Sequence, residues 1–381
     1  MAIWPIGHTA LIADSARTGA YQRAISETVK DGDVVVDLGT GTGILAFFAC
    51  QAGAKKVYAI EKQEIIEVAR EIARVNNLEK RIAFIRDVST EVTLPEKADV
   101  LLSEIIGKFV YSENLIHFVL DARDRFLKKD GALIPSSINL FIVPVEAPKI
   151  YDEVAFYNQN LYGIDFLPAH KVNINSPHQC QIETESFLSR PAPIKQIDFN
   201  KIREPYELYL DKTVSFVVDR PGILHGLAGW FDIHLSKNVL LSTSLALPVT
   251  HWESTFFPIE KPTKVAKGDT VKAGVTAAPW QGDIAYSWNV EVGKVRFSHS
   301  TVQTSLLSAE DLLSRSVDFA PSLSGGGEVV FFILSRCNGK NTIQKIAREL
   351  CEQYPETYNN LRKALIKVGK TVKKFSSHGK V

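Results

Sequence analysis

The sequence predicts a parallel α/β sheet unit, then an antiparallel β-barrel, then a small helical or winged-helix module. Three changes of texture carry that expectation. Over the first third, apolar runs suited to buried strands alternate with helical stretches. From about Ser136, short alternating runs are separated by Pro, Gly, Asn and Asp, the pattern of an antiparallel sandwich or barrel. Near residue 298, amphipathic helical spacing takes over. The predicted segments are 1–135, 136–297 and 298–381, and 381 residues are ample for three such parts.

Element by element, VVVDLG at 34–39 lies between Asp31-Gly32 and a glycine cluster, as a buried parallel strand should. ILAFFACQAG reads as a helix closed by Gly53. Strands follow at 56–61, 82–86 and 98–102, with helices through 63–76 and near 114–127, then KKDGALIP at 128–135. Ligands of such sheets sit at the carboxyl ends of the strands. The runs INLFIVPVE, TVSFVVD, HGLAGWFDIHL, VLLSTSLAL, TVKAGVTA and IAYSWNVEV supply the barrel, interrupted by an irregular insert near 156–187. Ser308 and Asp311 read as a capping box opening AEDLLSRS. PSLSGGG at 321–327 reads as a turn before a strand VVFFIL, with room for a wing. In NTIQKIARELCEQY, residues Ile343, Ile346, Ala347, Leu350, Cys351 and Tyr354 share one helical face, with Asn341 as cap and Gln344 as its reciprocal partner. Pro355 separates a last helix whose stripe is Tyr358, Leu361, Leu365 and Val368.

Lys plus Arg number 44 and Asp plus Glu 43, so the net charge of +1 argues against a dedicated nucleic-acid binder. Hydrophobic residues at 45% supply a core and argue against disorder. Cys50, Cys180, Cys337 and Cys351 are scattered, which suits a reducing compartment better than a disulfide framework or zinc cage. The opening MAIWPIGH lacks a secretory pattern, and Asp37 with the glycines after it interrupts the best candidate for a membrane span. The expectation is a cytoplasmic protein without membrane attachment or metal. There is no H-E-x-x-H, G-x-S-x-G or phosphate P-loop.

Two constellations carry chemistry. The first is VVVDLGTGTGIL, with Gly39, Gly41 and Gly43 at a strand-to-helix junction where a bulky ligand can approach the amides. A nicotinamide fingerprint needs a third glycine at position 44, which is Ile44. Spacing of this kind, after a strand ending in Asp37, resembles the cofactor loop of class I S-adenosylmethionine methyltransferases. Glu61 ends the second strand, where an acid accepts ribose hydroxyls. A generic turn beside a surface carboxylate is the plainer alternative. The second is SEIIGKFVYSEN, with Glu104 after a strand and Glu113 nine residues on. On one straight helix these acids face opposite ways, so they converge only if the chain doubles back at Gly107. Paired carboxylates repel unless a cation lies between them, and a guanidinium donates bidentate bonds to each. Two unrelated solvent-facing glutamates would be the bland reading of the pair alone.

The pair resembles the double-E loop of protein arginine methyltransferases, and the similarity spans roughly residues 7 to 295. HTALIADSARTGAY resembles the family's cofactor-covering helices, with His8, Asp14, Arg17, Thr18 and Tyr21 in register. PVTHWEST carries the Thr-His-Trp signature at Thr250, His251 and Trp252, and the insert with YNQNLYGIDF sits where the family carries its dimerisation arm. The family usually has Met and Tyr around the loop glycine, where this chain has Ile106 and Lys108, and Leu11 stands in place of a common Met. Seven residues precede His8, without the Tyr-Phe segment that often folds over the cofactor, a part that Trp4 could partly take.

The resemblance implies a Rossmann-like fold and transfer of methyl from S-adenosylmethionine to an arginine of a protein or peptide by a homodimer. Glu104 and Glu113 would orient the guanidinium and His251 would pair with Asp14. His8, Arg17, Asp37, the loop glycines and Glu61 would hold the cofactor, with Val88 and Ser89 near its adenine. Residues 298–381 resemble the PqqD-like domains that grip a leader peptide. With no acid beyond Glu356 and cations from Arg362 to Lys380, that module also suits an acidic peptide. Alternatives are a methyltransferase for a small-molecule N or O nucleophile, and an idle scaffold that only binds peptide.

Overall fold

A computed structural model describes residues 6–112, 116–244, 250–304, 313 and 316–375. The chain divides into two units, Met1–Ser305 and Leu306–Val381. The first opens with helices α1 (Ile6–Ala13) and α2 (Ser15–Thr28) and continues as β1 (Val34–Leu38), α3 (Ile44–Gln51), β2 (Lys56–Ile60), α4 (Ile66–Val75), β3 (Ile82–Ile85), β4 (Ala98–Ser103), α5 (His117–Phe126) and β5 (Leu127–Ile134). All five strands pair in parallel, in the order β3-β2-β1-β4-β5. Every residue of β1 is buried, because helices cover both faces of a parallel sheet. From β1 the chain crosses first to one side and later to the other, so a crevice opens where β1 and β4 end.

The barrel begins with β6 (Ser137–Val145). After α6 (Pro148–Val154), the insert contains a short hairpin of β7 (Asn160–Leu161) and β8 (Ile164–Asp165), then α7 (Leu167–Ile174) and β9 (His178–Cys180). Antiparallel strands follow: β10 (Ala192–Asp198), β11 (Leu210–Val217), β12 (Gly222–His234), β13 (Leu240–Ser242), β14 (Ser254–Val265), β15 (Thr270–Trp280), β16 (Asp283–Val292) and β17 (Val295–Ser300). They form a sheet ordered β10-β6-β12-β14-β9, with β13 on β12, and another ordered β11-β15-β16-β17. Inward residues such as Phe231, Phe257 and Trp288 are continuous with the core of the parallel sheet. A second cluster, including Val143, Tyr151, Ile174 and Trp230, seats the insert on the outer face of β6 and β12. The last barrel strand runs past residue 297.

The second unit corrects two sequence expectations. VVFFIL is not a strand but part of α8 (Gly325–Leu334), which Ser324 caps by accepting from the Gly327 amide at 3.2 Å. An unbroken apolar run carries no periodicity, and burial of Val329, Phe332 and Ile333 at i, i+3 and i+4 is helical. In α9 (Ile343–Gln353) the cap is Thr342, whose hydroxyl accepts from Lys345, while Asn341 donates to the Arg336 carbonyl. With α10 (Leu361–Phe375) these helices close a core of Phe332, Ile346, Leu350, Tyr358, Ala364 and Val368. No strand occurs among the described residues of this unit, so no wing is present there. The capping box at Ser308 and Asp311 lies outside the described residues.

Candidate active site

At the end of β1 the backbone turns through Gly39 at φ 75° and Gly41 at φ 54°. A Cβ on Gly39 would stand 2.6 Å from Ile105 Cγ2, and one on Gly41 would meet the His8 ring at 3.1 Å. Both the conformation and the space therefore require glycine. Asp37 anchors the loop from below, accepting from the Thr40 hydroxyl at 2.5 Å and the Ala46 amide at 3.1 Å through Oδ2. Its Oδ1 is buried with no partner, and burial pushes the carboxyl up to about 7. Glu61, just after β2, straps the same loop: Oε2 accepts from the Gly41 amide at 3.3 Å and Oε1 from the Gln63 amide at 2.8 Å.

Two cavities share Gly39 and Ile105 at this crevice. The first brings Glu61 together with Val88 and Ser89, and adds Asp87 and Phe118. Asp87 was missed although it follows β3, where strand-end position alone could have found it; Phe118 faces inward from α5 with no sequence signal of its own. The second cavity collects His8, Leu11, Arg17, the loop from Gly39 to Thr42, Glu104 to Gly107, and His251.

Arg17 and Glu104 meet in this second chamber. Arg17 is 4% exposed and pairs with Glu104 at the end of β4, while its other terminal nitrogen donates to the Leu11 carbonyl at 2.9 Å. Burial holds the Glu104 carboxyl above its ordinary range even though the Arg17 guanidinium pulls it down. Asp14 performs two jobs. One oxygen caps α2 by accepting from the Arg17 amide at 2.9 Å, and the other accepts from His251 at its amide, 2.9 Å, and at Nδ1, 3.1 Å. Burial alone would raise Asp14, but the Arg17 and His251 hydrogen bonds outweigh it and keep the acid ionised. An ionised carboxylate only accepts, so Nδ1 of His251 donates to Asp14.

After Glu104 the chain reverses. Gly107 and Val110 exchange amide-to-carbonyl bonds of 3.2 and 2.9 Å, and a Cβ on Gly107 would strike the Ser112 carbonyl at 2.3 Å. Phe109 and Val110 occupy left-handed conformations, φ 43° and 72°, uncommon for a bulky or β-branched residue. Aromatic side chains of the barrel hold this turn: Trp252 donates to the Ile106 carbonyl at 2.8 Å and Tyr286 to that of Lys108 at 3.3 Å. The reversal inferred at Gly107 is present, whereas Glu113 and Trp4 lie outside the described residues.

Residues 136–292 match the family model of the arginine methyltransferase oligomerization subdomain, and residues 18–139 match that of ribosomal protein L11 methyltransferase. The chain is 32% identical over 279 residues to protein arginine N-methyltransferase 1 of Dictyostelium discoideum, covering 72% of this chain and 82% of that protein. It is 34% identical over 279 residues to the histone-arginine methyltransferase CARMER of Drosophila persimilis, covering 70% of this chain and 52% of that one, so it spans about half the length of the CARMER relatives. Among solved structures, the Trypanosoma brucei PRMT1 enzyme-prozyme heterotetrameric complex with AdoHcy aligns at TM-score 0.72 and 26% identity, over 78% of this chain and 98% of that one. Arabidopsis thaliana protein arginine methyltransferase 10, at TM-score 0.69 and 24% identity, shares the fold over 78% of this chain and 98% of that one. With a Rossmann-like sheet, a barrel and a relative matched over most of its length, the chain belongs to the protein arginine methyltransferase family.

Proposed function

We propose that the chain transfers a methyl group from S-adenosylmethionine to a guanidinium nitrogen of arginine in a protein or peptide. The observation that carries this reading is Glu104, a largely buried acid that holds a guanidinium, that of Arg17, in a chamber opening onto the glycine loop. Such a site discriminates for a planar, permanently charged cation. The residues suit the cofactor: the unpartnered Oδ1 of Asp37 and Nε of Arg17 are buried polar atoms beside a cradle that a Cβ would fill. Glu61 would take the ribose, Val88 and Ser89 the adenine edge, and Arg17 with His8 the amino-acid end, where the sulfonium supplies an electrophilic methyl.

Glu104, with Glu113 as its partner, would fix the plane of the substrate guanidinium and draw its charge away from the attacking nitrogen. Asp14 orients His251 to shape the pocket and accept a proton at Nε2. Homodimer formation through the insert is supported by Phe156, Tyr162, Ile164 and Leu167, all exposed on its surface. Contact with an acidic or leader-like stretch of the substrate is supported by α10, where Arg362, Lys363, Lys370 and Lys374 are exposed and no acid intervenes. The full chain incubated with labelled S-adenosylmethionine and arginine-containing peptides, read by mass spectrometry, should place methyl on arginine. Label on a metabolite alone, or none at all, would reject the assignment.

A further inference from the structure

The reversal after Glu104 leaves one side chain in solvent. From Ser103 to Ser112, Lys108 is the single exposed residue, while Phe109, Val110 and Tyr111 are buried. Its main chain is fixed on both sides, the amide donating to the Ser112 hydroxyl at 2.6 Å and the carbonyl accepting from Tyr286. The next residue, Phe109, packs edge-on against Phe257 with ring centroids 5.1 Å apart. The main chain of Lys108 is therefore set, one residue from Gly107, which lines the chamber with Glu104 and His251, and its flexible stem sweeps the ammonium through the solvent beside that loop. Lys108 makes no ion pair with any described residue.

We infer that Lys108 is a specificity-determining residue that selects arginines flanked by Asp or Glu; this rests on the proposed arginine substrate. The incoming guanidinium is itself a cation. A second cation on the loop that follows Glu104 penalises a basic neighbour in the substrate and favours an acidic one, by Coulomb's law across hydrated space. An exposed, screened pair of this kind changes affinity by about three- to fivefold.

The test uses the full chain with S-adenosylhomocysteine and short fluorescent peptides that place Glu, Gln or Lys beside one arginine, followed by anisotropy. Wild type should bind in the order Glu, Gln, Lys, each step about three- to fivefold, and the spread should collapse near 0.5 M salt. Lys108→Glu should reverse the order and Lys108→Met should flatten it. An order that survives the charge reversal, equal affinities, or no binding by any peptide overturns the inference. Intact binding preferences without methyl transfer would instead count against the proposed reaction.

Discussion

Phe109 and Gly229 are 120 positions apart and interlock: a Cβ added to Gly229 on β12 would sit 2.5 Å from the Phe109 ring. The barrel thus supplies a socket for a residue whose backbone lies in a disfavoured region. Filling that socket forces the loop to move or the strand to bend. Gly229→Ala is expected to destabilise the protein by about 1–3 kcal/mol and to raise KM for peptide, while affinity for S-adenosylhomocysteine stays near wild type. Denaturant titration, steady-state kinetics and calorimetry read the three quantities. Unchanged peptide kinetics would mean that the loop adjusts without disturbing Glu104.

Glu104 and Arg17 are mutually dependent. Glu104→Gln keeps the shape and one acceptor oxygen but loses the charge, and should lower kcat at least about a hundredfold. Glu104→Ala should, in addition, strand the buried Arg17 charge at a cost of about 3–5 kcal/mol in unfolding free energy. Cofactor affinity should fall less in the Gln variant than in the Ala variant, because both residues line one chamber and removing the whole side chain also frees Arg17, the residue proposed to hold the cofactor's amino-acid end.

Asp37 sets a pH dependence in the ligand-free protein. Its folded value, about 7, lies above the ordinary 3.8, so folding favours the protonated form. That contribution is fully present below the ordinary value and is lost as pH rises through about 7, up to about 4 kcal/mol in all. Asp37→Asn should therefore gain stability relative to wild type as pH climbs from 5 to 8 in urea titrations. A constant difference across that range would show that ionisation of Asp37 is not penalised.

Buried histidines in the first unit act in the opposite sense. His299 stacks on Trp288 with centroids 5.3 Å apart, its Nε2 is unpartnered, and burial pushes it down from 6.5 to about 4. His170 and His225 are shifted the same way by burial. Since the unfolded chain takes up protons first, stability falls as pH drops below about 6.5. His299→Phe, which keeps the stack, should remove about 1.4 kcal/mol of that loss per pH unit between pH 6.5 and 4. Parallel urea titrations of the two proteins give the slope directly.

Much of this was legible before any fold was known, where the information is local. The parallel strands, the glycine loop and the reversal at Gly107 each depend on a few adjacent residues whose backbone demands are unusual. Where local cues were ambiguous, tertiary burial decided. VVFFIL has strand-forming side chains, yet Ser324 offers a helix start and the neighbouring helices bury only one of its stripes. Asn341 and Thr342 are both good caps, and the one whose hydroxyl reaches the Lys345 amide prevailed. Long-range pairs were beyond reach of pattern: nothing in the residues around Gly229 announces Phe109, and nothing in α2 by itself assigns Arg17 to Glu104.

The double duty of Asp14 means that two parts of the molecule share a single fastening. One carboxylate starts the second helix and also pins the histidine that comes from the barrel, just before β14. The N-terminal helices cannot lift off their seat without unlatching that histidine. Loss of that one carboxylate would therefore loosen the helix start and the histidine together.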